Sequence, residues 1–236
     1  MNSHIDDIAR FAQELSEAQE PCIWVPSNLL VVHQVPKPKA PKRKWLGLVP
    51  WMLEEKLLQA PEDMHFVIAG KSNDKLSVLV TAKSQMQEWQ KTVEASGIKN
   101  YALNPDYLAL PWHSGLLSIG KNAELILVRY GEFEGFAVHP DLAWHMVADL
   151  LQKSEAPLRL SLSMAEAEIP DRFKDQVEIR HQGIDWQNTN FPRSSNLLSG
   201  DFTLASSPGV LRPWLKTAAL LVLTLALSFV SLNMEN

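Results

Sequence analysis

The feature that most constrains this chain is an apolar run near its C-terminus, from Leu215 to Leu232. It reads LKTAALLVLTLALSFVSL, and its one charged residue, Lys216, lies at its edge. As a helix this run would be about 27 Å long, close to the ~30 Å hydrocarbon core of a bilayer. A core helix normally has a polar face, and the serines and threonines here do not form one. We therefore predict a transmembrane helix over residues 214–232.

The residues around this run predict how it is anchored and oriented. Arg212 and Lys216 lie on either side of Trp214, and cations with a tryptophan are typical of a cytoplasmic membrane interface. Residues 187–213 are rich in Asn, Ser, Gly and Pro, which predicts a linker. The predicted membrane anchor consists of Trp214, Leu215, Leu220, Leu221, Val222, Leu223, Leu225, Leu227, Phe229, Val230 and Leu232.

Composition excludes several classes of protein. The formal net charge of −5 argues against a general nucleic-acid binder, because no basic excess is available to pair with phosphates. One cysteine, Cys22, cannot form an internal disulfide and fits a small buried residue in a reducing compartment. The start MNSHIDDIARF has no apolar core of a secretory signal.

Hydrophobic patterning predicts a domain of mixed α/β class. Residues 84–97 predict a helix with Ser84 at its N-cap and Gly97 at its end. Further helices are predicted over 5–19 and from His139 to Lys153, the latter with Leu142, Met146, Leu150 and Leu151 on its buried face. Strands are predicted at 22–25, 29–35, 64–70, 75–83, 115–120, 123–130, 134–139, 158–164 and 175–181.

The sequence contains no complete motif for phosphate binding, metal binding or nucleophilic catalysis. The triplet Gly70-Lys71-Ser72 lacks the upstream glycine of a phosphate loop, since position 65 is His65, and a strand rather than a helix is predicted after it. Histidines are scattered without ligand spacing, and there is no nucleophile elbow. We predict no catalytic residue, no metal site and no cofactor, and therefore not an enzyme.

The stretch GLVPWMLEE, residues 47–55, tests this prediction because two carboxylates stand side by side. On a helix continuing to Gln59, Glu54 and Glu55 point about 100° apart and cannot face one substrate as an acid/base pair. Packing explains the stretch better than catalysis does.

Two apolar sides are predicted for this helix. Leu46, Val49, Leu53 and Leu57 share one side, and Trp51 and Leu58 lie on another. A helix that is apolar on two sides packs against two surfaces, or against its own domain and a partner. Pro50 removes a backbone donor and is expected to kink the helix or begin a new one. Pro50, Trp51 and Leu53 are thus predicted to be structural or partner-facing.

A basic run comes just before this helix. Its five cations, interspersed with prolines, are Lys37, Lys39, Lys42, Arg43 and Lys44. A solvated loop and a contact with anionic lipid both remain open for it.

Three ordered motifs resemble the type II secretion system protein L family. They are LVPWMLEEKLLQAPEDMHFVIAG at 48–70, then MQEWQKTVEASGI followed by NPDYLALPW within 86–112, and NLLSGDF at 196–202. Each motif is loose alone, but their order and spacing, followed by the apolar run, are specific.

The resemblance implies an actin-like, ribonuclease-H-like mixed-sheet domain without catalytic activity. Its two similar halves would span 1–100 and 101–186, and the first is expected to be abbreviated, because only a polar helix precedes CIWV. The family's periplasmic domain is expected to be absent, since four residues follow the membrane helix.

The resemblance also implies a function. The protein would be a single-pass inner-membrane scaffold with a cytoplasmic N-terminal domain. It would recruit the secretion ATPase, protein E, pair with protein M and link the ATPase to the pseudopilus. The resemblance suggests a homodimer, and no nucleic acid is expected as a partner.

Two alternatives to this function stay open. One is a vestigial actin-like ATPase, for which LLSIGKN is the closest stretch to a phosphate loop. The other is a tail-anchored membrane adaptor unrelated to secretion.

Overall fold

The computed structural model describes residues 21–154, 156–187 and 191–204. Within them the chain forms a mixed α/β fold, as predicted. The helices are α1 Trp45–Leu53, α2 Lys83–Ala95, α3 Pro140–Lys153 and α4 Asp171–Lys174. The strands are β1 Cys22–Val25, β2 Leu30–Pro36, β3 Met64–Lys71, β4 Lys75–Ala82, β5 Ala102–Pro105, β6 Leu116–Asn122, β7 Leu125–Arg129, β8 Gly135–Val138, β9 Arg159–Ser163 and β10 Val177–Arg180.

A three-stranded antiparallel sheet with the order β2-β4-β3 forms the first half of the fold. The central strand β4 is buried along most of its length, because α1 covers one face of the sheet. The core on this face contains Val35, Trp45, Val49, Leu53, Phe66, Leu76, Val78 and Val80. The strands predicted at 29–35, 64–70 and 75–83 are thus confirmed to within one residue at each end.

A five-stranded sheet with the order β10-β9-β6-β7-β8 forms the second half. Strands β6, β7 and β8 are an antiparallel meander, and β9 and β10 add in parallel on the other side of β6. Helix α3 connects β8 to β9, and α4 lies in the connection between β9 and β10. The ring of Trp144 on α3 stacks on that of Phe173 on α4 with centroids 5.2 Å apart.

The buried face of α3 differs from the predicted one. Ala143, Trp144 and Val147 are its buried residues, whereas Leu142 is 54% exposed. Leu150 and Leu151 of the predicted face do pack against the core as partly buried side chains, so the prediction is confirmed for these two residues.

A two-stranded parallel sheet joins the parts of the chain that were expected to belong to separate halves. Cys22 of β1 pairs with Ala102 of β5, which lies beyond the expected boundary at residue 100. Contacts group the chain up to Phe202 into one compact unit. The two similar halves over 1–100 and 101–186 stay a prediction.

The ends of α2 show which capping signals were correct. Gly97 adopts a φ of +83° just after the helix, so its predicted role as the stop is confirmed. The predicted N-cap, Ser84, is wrong, since the helix begins at Lys83 and its N-cap, Ala82, makes no side-chain bond.

The linker predicted over 187–213 is wrong for residues 193–202, which the structure describes as packed. The amide of Leu197 donates to the carbonyl of Leu103 at 2.8 Å, and the amide of Leu103 donates to Asn196 Oδ1 at 2.9 Å. Leu197 and Phe202 are buried. This segment forms hydrogen bonds with the backbone of β5. A composition that is typical of a linker therefore belongs here to a segment that packs on the domain.

The predicted membrane anchor, Trp214 to Leu232, lies outside the described residues, as do Arg212, Lys216 and the helix predicted over 5–19. In the ranges that the structure does describe, no helix has the length and apolar character needed to cross a bilayer.

Candidate interaction surface

One face of α1 is fixed in the core of the three-stranded sheet. Trp45, Val49 and Leu53, four residues apart, are its buried residues, and Val49 and Leu53 are fully buried. The Trp45 indole N–H donates to the Ala40 carbonyl at 2.8 Å. Val49 and Leu53 were predicted on this face, but Leu46 was placed there wrongly, since it is 45% exposed.

The helix is shorter than predicted. It ends at Leu53, and Glu54–Lys56 form a 3-10 turn, so the expected continuation to Gln59 is wrong. Pro50 lies inside α1 rather than at the start of a second helix. Its missing N–H leaves out the bond to the carbonyl of Leu46, which weakens the middle of a helix that already lacks a capping side chain.

The opposite face of α1 exposes apolar side chains. Trp51 lies about 160° around the helix from Val49 and is 73% exposed. Leu48 is exposed on the same side, about 60° from Trp51, whereas Leu46 and Met52 are exposed at the two edges of the buried face. A helix that is apolar on all sides is usually buried on all sides, whereas the residues that the structure describes leave this outer face uncovered.

The basic run leads directly into this helix. Lys42–Lys44 form a 3-10 turn immediately before Trp45, and all five cations of the run are exposed. The amide of Lys37 donates to the Asp74 carbonyl at 2.7 Å, which fixes the beginning of the run on the β3–β4 turn. Salt bridges between described residues involve none of these five cations.

We call this region the α1 surface. It consists of the exposed cations Lys37, Lys39, Lys42, Arg43 and Lys44 and of the exposed apolar residues Leu46, Leu48, Trp51 and Met52. The sequence indicated both sets but could not show that the outer face would be left open.

A buried charged cluster that sequence reasoning missed connects the sheets. The Glu134 carboxylate accepts hydrogen bonds from Ser77 Oγ at 2.5 Å and from Gln34 Nε2 at 3.0 Å. Nearby, Arg129 Nη1 donates to the carbonyls of Leu108 and Leu110 at 2.9 and 2.7 Å. These donors and acceptors bind parts of the chain to one another, which is a structural use of charge.

Burial affects the ionisation of two further groups. It lowers the pKa of Arg129 to about 10, partly offset by the nearby Tyr107 and acidic groups. It raises the pKa of the Cys22 thiol to about 12, although a hydrogen bond from Asn104 acts in the other direction. Cys22 is therefore a protonated, inert thiol at neutral pH.

Asp106 is a second buried acid, and its role is structural. Its carboxylate accepts bonds from the hydroxyl and the amide of Ser27 and, at 3.3 Å, from Asn122 Nδ2. It thereby holds the turn after β1 against the end of β6.

The residues considered above for catalysis or phosphate binding lie far apart from one another or on the surface. Gly70, Lys71 and Ser72 lead into the tight β3–β4 turn, and no helix follows them. Glu54 and Glu55 are exposed on the 3-10 turn after α1. Across the described ranges, His, Cys, Asp and Glu form no group of three suited to a metal ion.

Comparison with known proteins decides the family. The family model for type II secretion system protein L matches residues 8–205. The chain belongs to this family. The resemblance drawn from its three motifs is thus confirmed.

Relatives of protein L share about a quarter of their residues with this chain. The protein from Pectobacterium carotovorum subsp. carotovorum is 26% identical over 205 residues, covering 81% of this chain and 47% of its own length. The protein from Vibrio cholerae serotype O1 is 25% identical over 184 residues, covering 75% of this chain and 45% of its own. The chain thus spans less than half the length of these curated relatives.

A solved structure shares the fold. The cytoplasmic domain of EpsL, described as an inner membrane component of the Vibrio cholerae type II secretion system, aligns with a TM-score of 0.64. The alignment covers 84% of both chains at 21% identity. At this identity the likeness concerns the fold.

Proposed function

We propose that this protein L family member is a non-enzymatic scaffold of the inner membrane. It recruits the cytoplasmic secretion ATPase, protein E, to the membrane and links it to protein M and the pseudopilus assembly platform. The observation that carries the proposal is the family match over residues 8–205. The solved relative, named as an inner membrane component of this secretion system, adds support.

An actin-like, ribonuclease-H-like domain is part of this proposal. Strands β6 to β8 form an antiparallel meander, and β9 and β10 extend it in parallel. The order β10-β9-β6-β7-β8 has this form and supports the proposal for the second half. Residues 1–100 and 101–186 would then be related halves that share one compact unit.

The proposed membrane attachment is a single helix over 214–232, with the preceding domain in the cytoplasm. Its support is the length of the apolar run and the cations Arg212 and Lys216 beside Trp214. Protein M would pair with this chain at the membrane, and a homodimer would place two cytoplasmic domains together.

A binding experiment with purified components tests the recruitment. The full chain in detergent micelles, immobilised through an N-terminal tag, should retain the N-terminal domain of the secretion ATPase. A matched control uses the same chain with Gly183→Ala, which has open space around it and should leave retention unchanged. No retention of the ATPase domain at tens of micromolar by the native chain would contradict the proposal.

The vestigial ATPase is tested separately. Isothermal calorimetry with ATP and Mg²⁺ should give no binding heat for the native chain. A saturable heat would favour an actin-like nucleotide site over a pure scaffold.

A further inference from the structure

The α1 surface combines an exposed apolar helix face with a cluster of cations. Five cations lie within 37–44, although the whole chain has a net charge of −5. All five are exposed, and none of them takes part in a salt bridge with a described residue. We infer that the α1 surface rests on an anionic lipid leaflet and orients the domain against the membrane.

Charge complementarity selects lipid as the occupant. Each Lys or Arg near an anionic leaflet favours binding by ~1 kcal/mol, about fivefold in the ratio of docked to undocked domain. Lys42, Arg43 and Lys44 form a single 3-10 turn, so their side chains point about 120° apart but concentrate three charges at the N-terminal end of α1. Anionic lipid headgroups neutralise such a cluster of cations, and they need no complementary shape to do so.

The apolar residues supply the second requirement. Trp51 and Leu48 protrude from α1 on the side away from the sheet, and tryptophan favours the boundary between headgroups and acyl chains. Helix α1 is about 13 Å long, enough to place one indole and a few leucine carbons in that layer. Glu54 and Glu55 follow its C-terminal end, so the N-terminal, cationic end is the one that contacts the headgroups.

Chain connectivity keeps the domain close to the bilayer, and this step rests on the proposed function. Thirteen positions separate Phe202, the end of the compact unit, from Leu215, where the apolar run begins. Fully extended, this segment spans at most about 45 Å. If the run crosses the membrane, the domain is held at high local concentration beside the leaflet.

A site-directed fluorophore tests the contact in the full chain. Leu48→Cys places a thiol on the outer face, and the native thiol of Cys22 does not compete because it is buried and protonated. The chain is labelled with an environment-sensitive dye and reconstituted in nanodiscs of phosphatidylcholine, with or without phosphatidylglycerol. We expect a blue shift, and quenching by brominated acyl chains, with phosphatidylglycerol only. The control Leu142→Cys, exposed on α3, should give neither.

Charge variants separate this contact from general adsorption. Neutralising Lys42, Arg43 and Lys44 to Gln should lower the docked-to-undocked ratio about a hundredfold and remove the shift. The same loss of charge elsewhere, in K71Q/K91Q/K99Q, should leave it unchanged, because those exposed lysines lie outside the α1 surface.

Four outcomes would overturn the inference. They are no shift in any nanodisc, an equal shift in neutral nanodiscs, a shift that rises with chain concentration and so reports a second copy, and a shift that requires the secretion ATPase. Failure to insert into nanodiscs would instead refute the proposed membrane helix, and loss of ATPase retention would refute recruitment, so the three failures are distinguishable.

Discussion

Substitutions on the two sides of α1 test which face of this helix is buried. Leu53 is fully buried in the core of the three-stranded sheet, whereas Trp51 is 73% exposed. Replacing a buried leucine by alanine removes its transfer free energy and leaves a cavity, which costs about 3 kcal/mol. For a domain of this size, that lowers Tm by about 6–12 °C. Trp51→Ala removes an exposed side chain and should change the free energy of unfolding by less than ~0.5 kcal/mol.

Urea denaturation of residues 1–204, followed by far-UV circular dichroism, measures both variants. This signal reports the backbone and is little affected by the loss of one indole. Equal destabilisation by the two substitutions would refute the assignment of a buried and an open face. A loss of more than 1 kcal/mol for Trp51→Ala would show that its ring packs on the domain.

Three further predictions follow from buried polar groups and glycines. Burial lowers the pKa of His65, which donates to the Leu197 carbonyl, so the unfolded chain binds more protons than the folded chain at acidic pH. The free energy of unfolding should therefore fall from pH 7 to pH 5, and it should fall less steeply in His65→Gln. Equal pH profiles for the two proteins would contradict this. Gly135→Ala would drive a Cβ into the Tyr107 ring and the Val128 carbonyl and should lower the free energy of unfolding by more than ~2 kcal/mol. Gly183→Ala, with open space around it, should leave the free energy of unfolding unchanged. Similar urea midpoints for the two variants would count against this packing. Glu134→Ala should cost about 2 kcal/mol, because the buried Ser77 hydroxyl loses its acceptor, and an unchanged thermal melt would rule out the described network.

Local patterns were sufficient for the strands and for the family. Alternating apolar residues in KLSVLVTA and the meander from Leu116 to Val138 specified strands, because such segments bury one or both faces in any α/β arrangement. The ordered motifs specified the family, since several loose patterns in a fixed order seldom occur by chance.

Polar composition was a poor guide to the segment after residue 187. Asn196 and Ser195 belong to a linker by their residue types, yet Asn196 Oδ1 accepts from the Leu103 amide and Ser195 is buried. Whether a polar side chain is solvated or bonds to the backbone depends on a partner about ninety residues away, which no local window contains.

The same limit applies to the candidate surface. The sequence by itself determined that the stretch from Trp45 to Met52 is helical and apolar on more than one side, and that a cationic run precedes it. Only the tertiary structure decided that Trp45, Val49 and Leu53 face the sheet and that Trp51 does not. The physical reason is that helical periodicity fixes which side chains share a face, whereas the choice of buried face depends on the shape of the sheet surface that the helix meets.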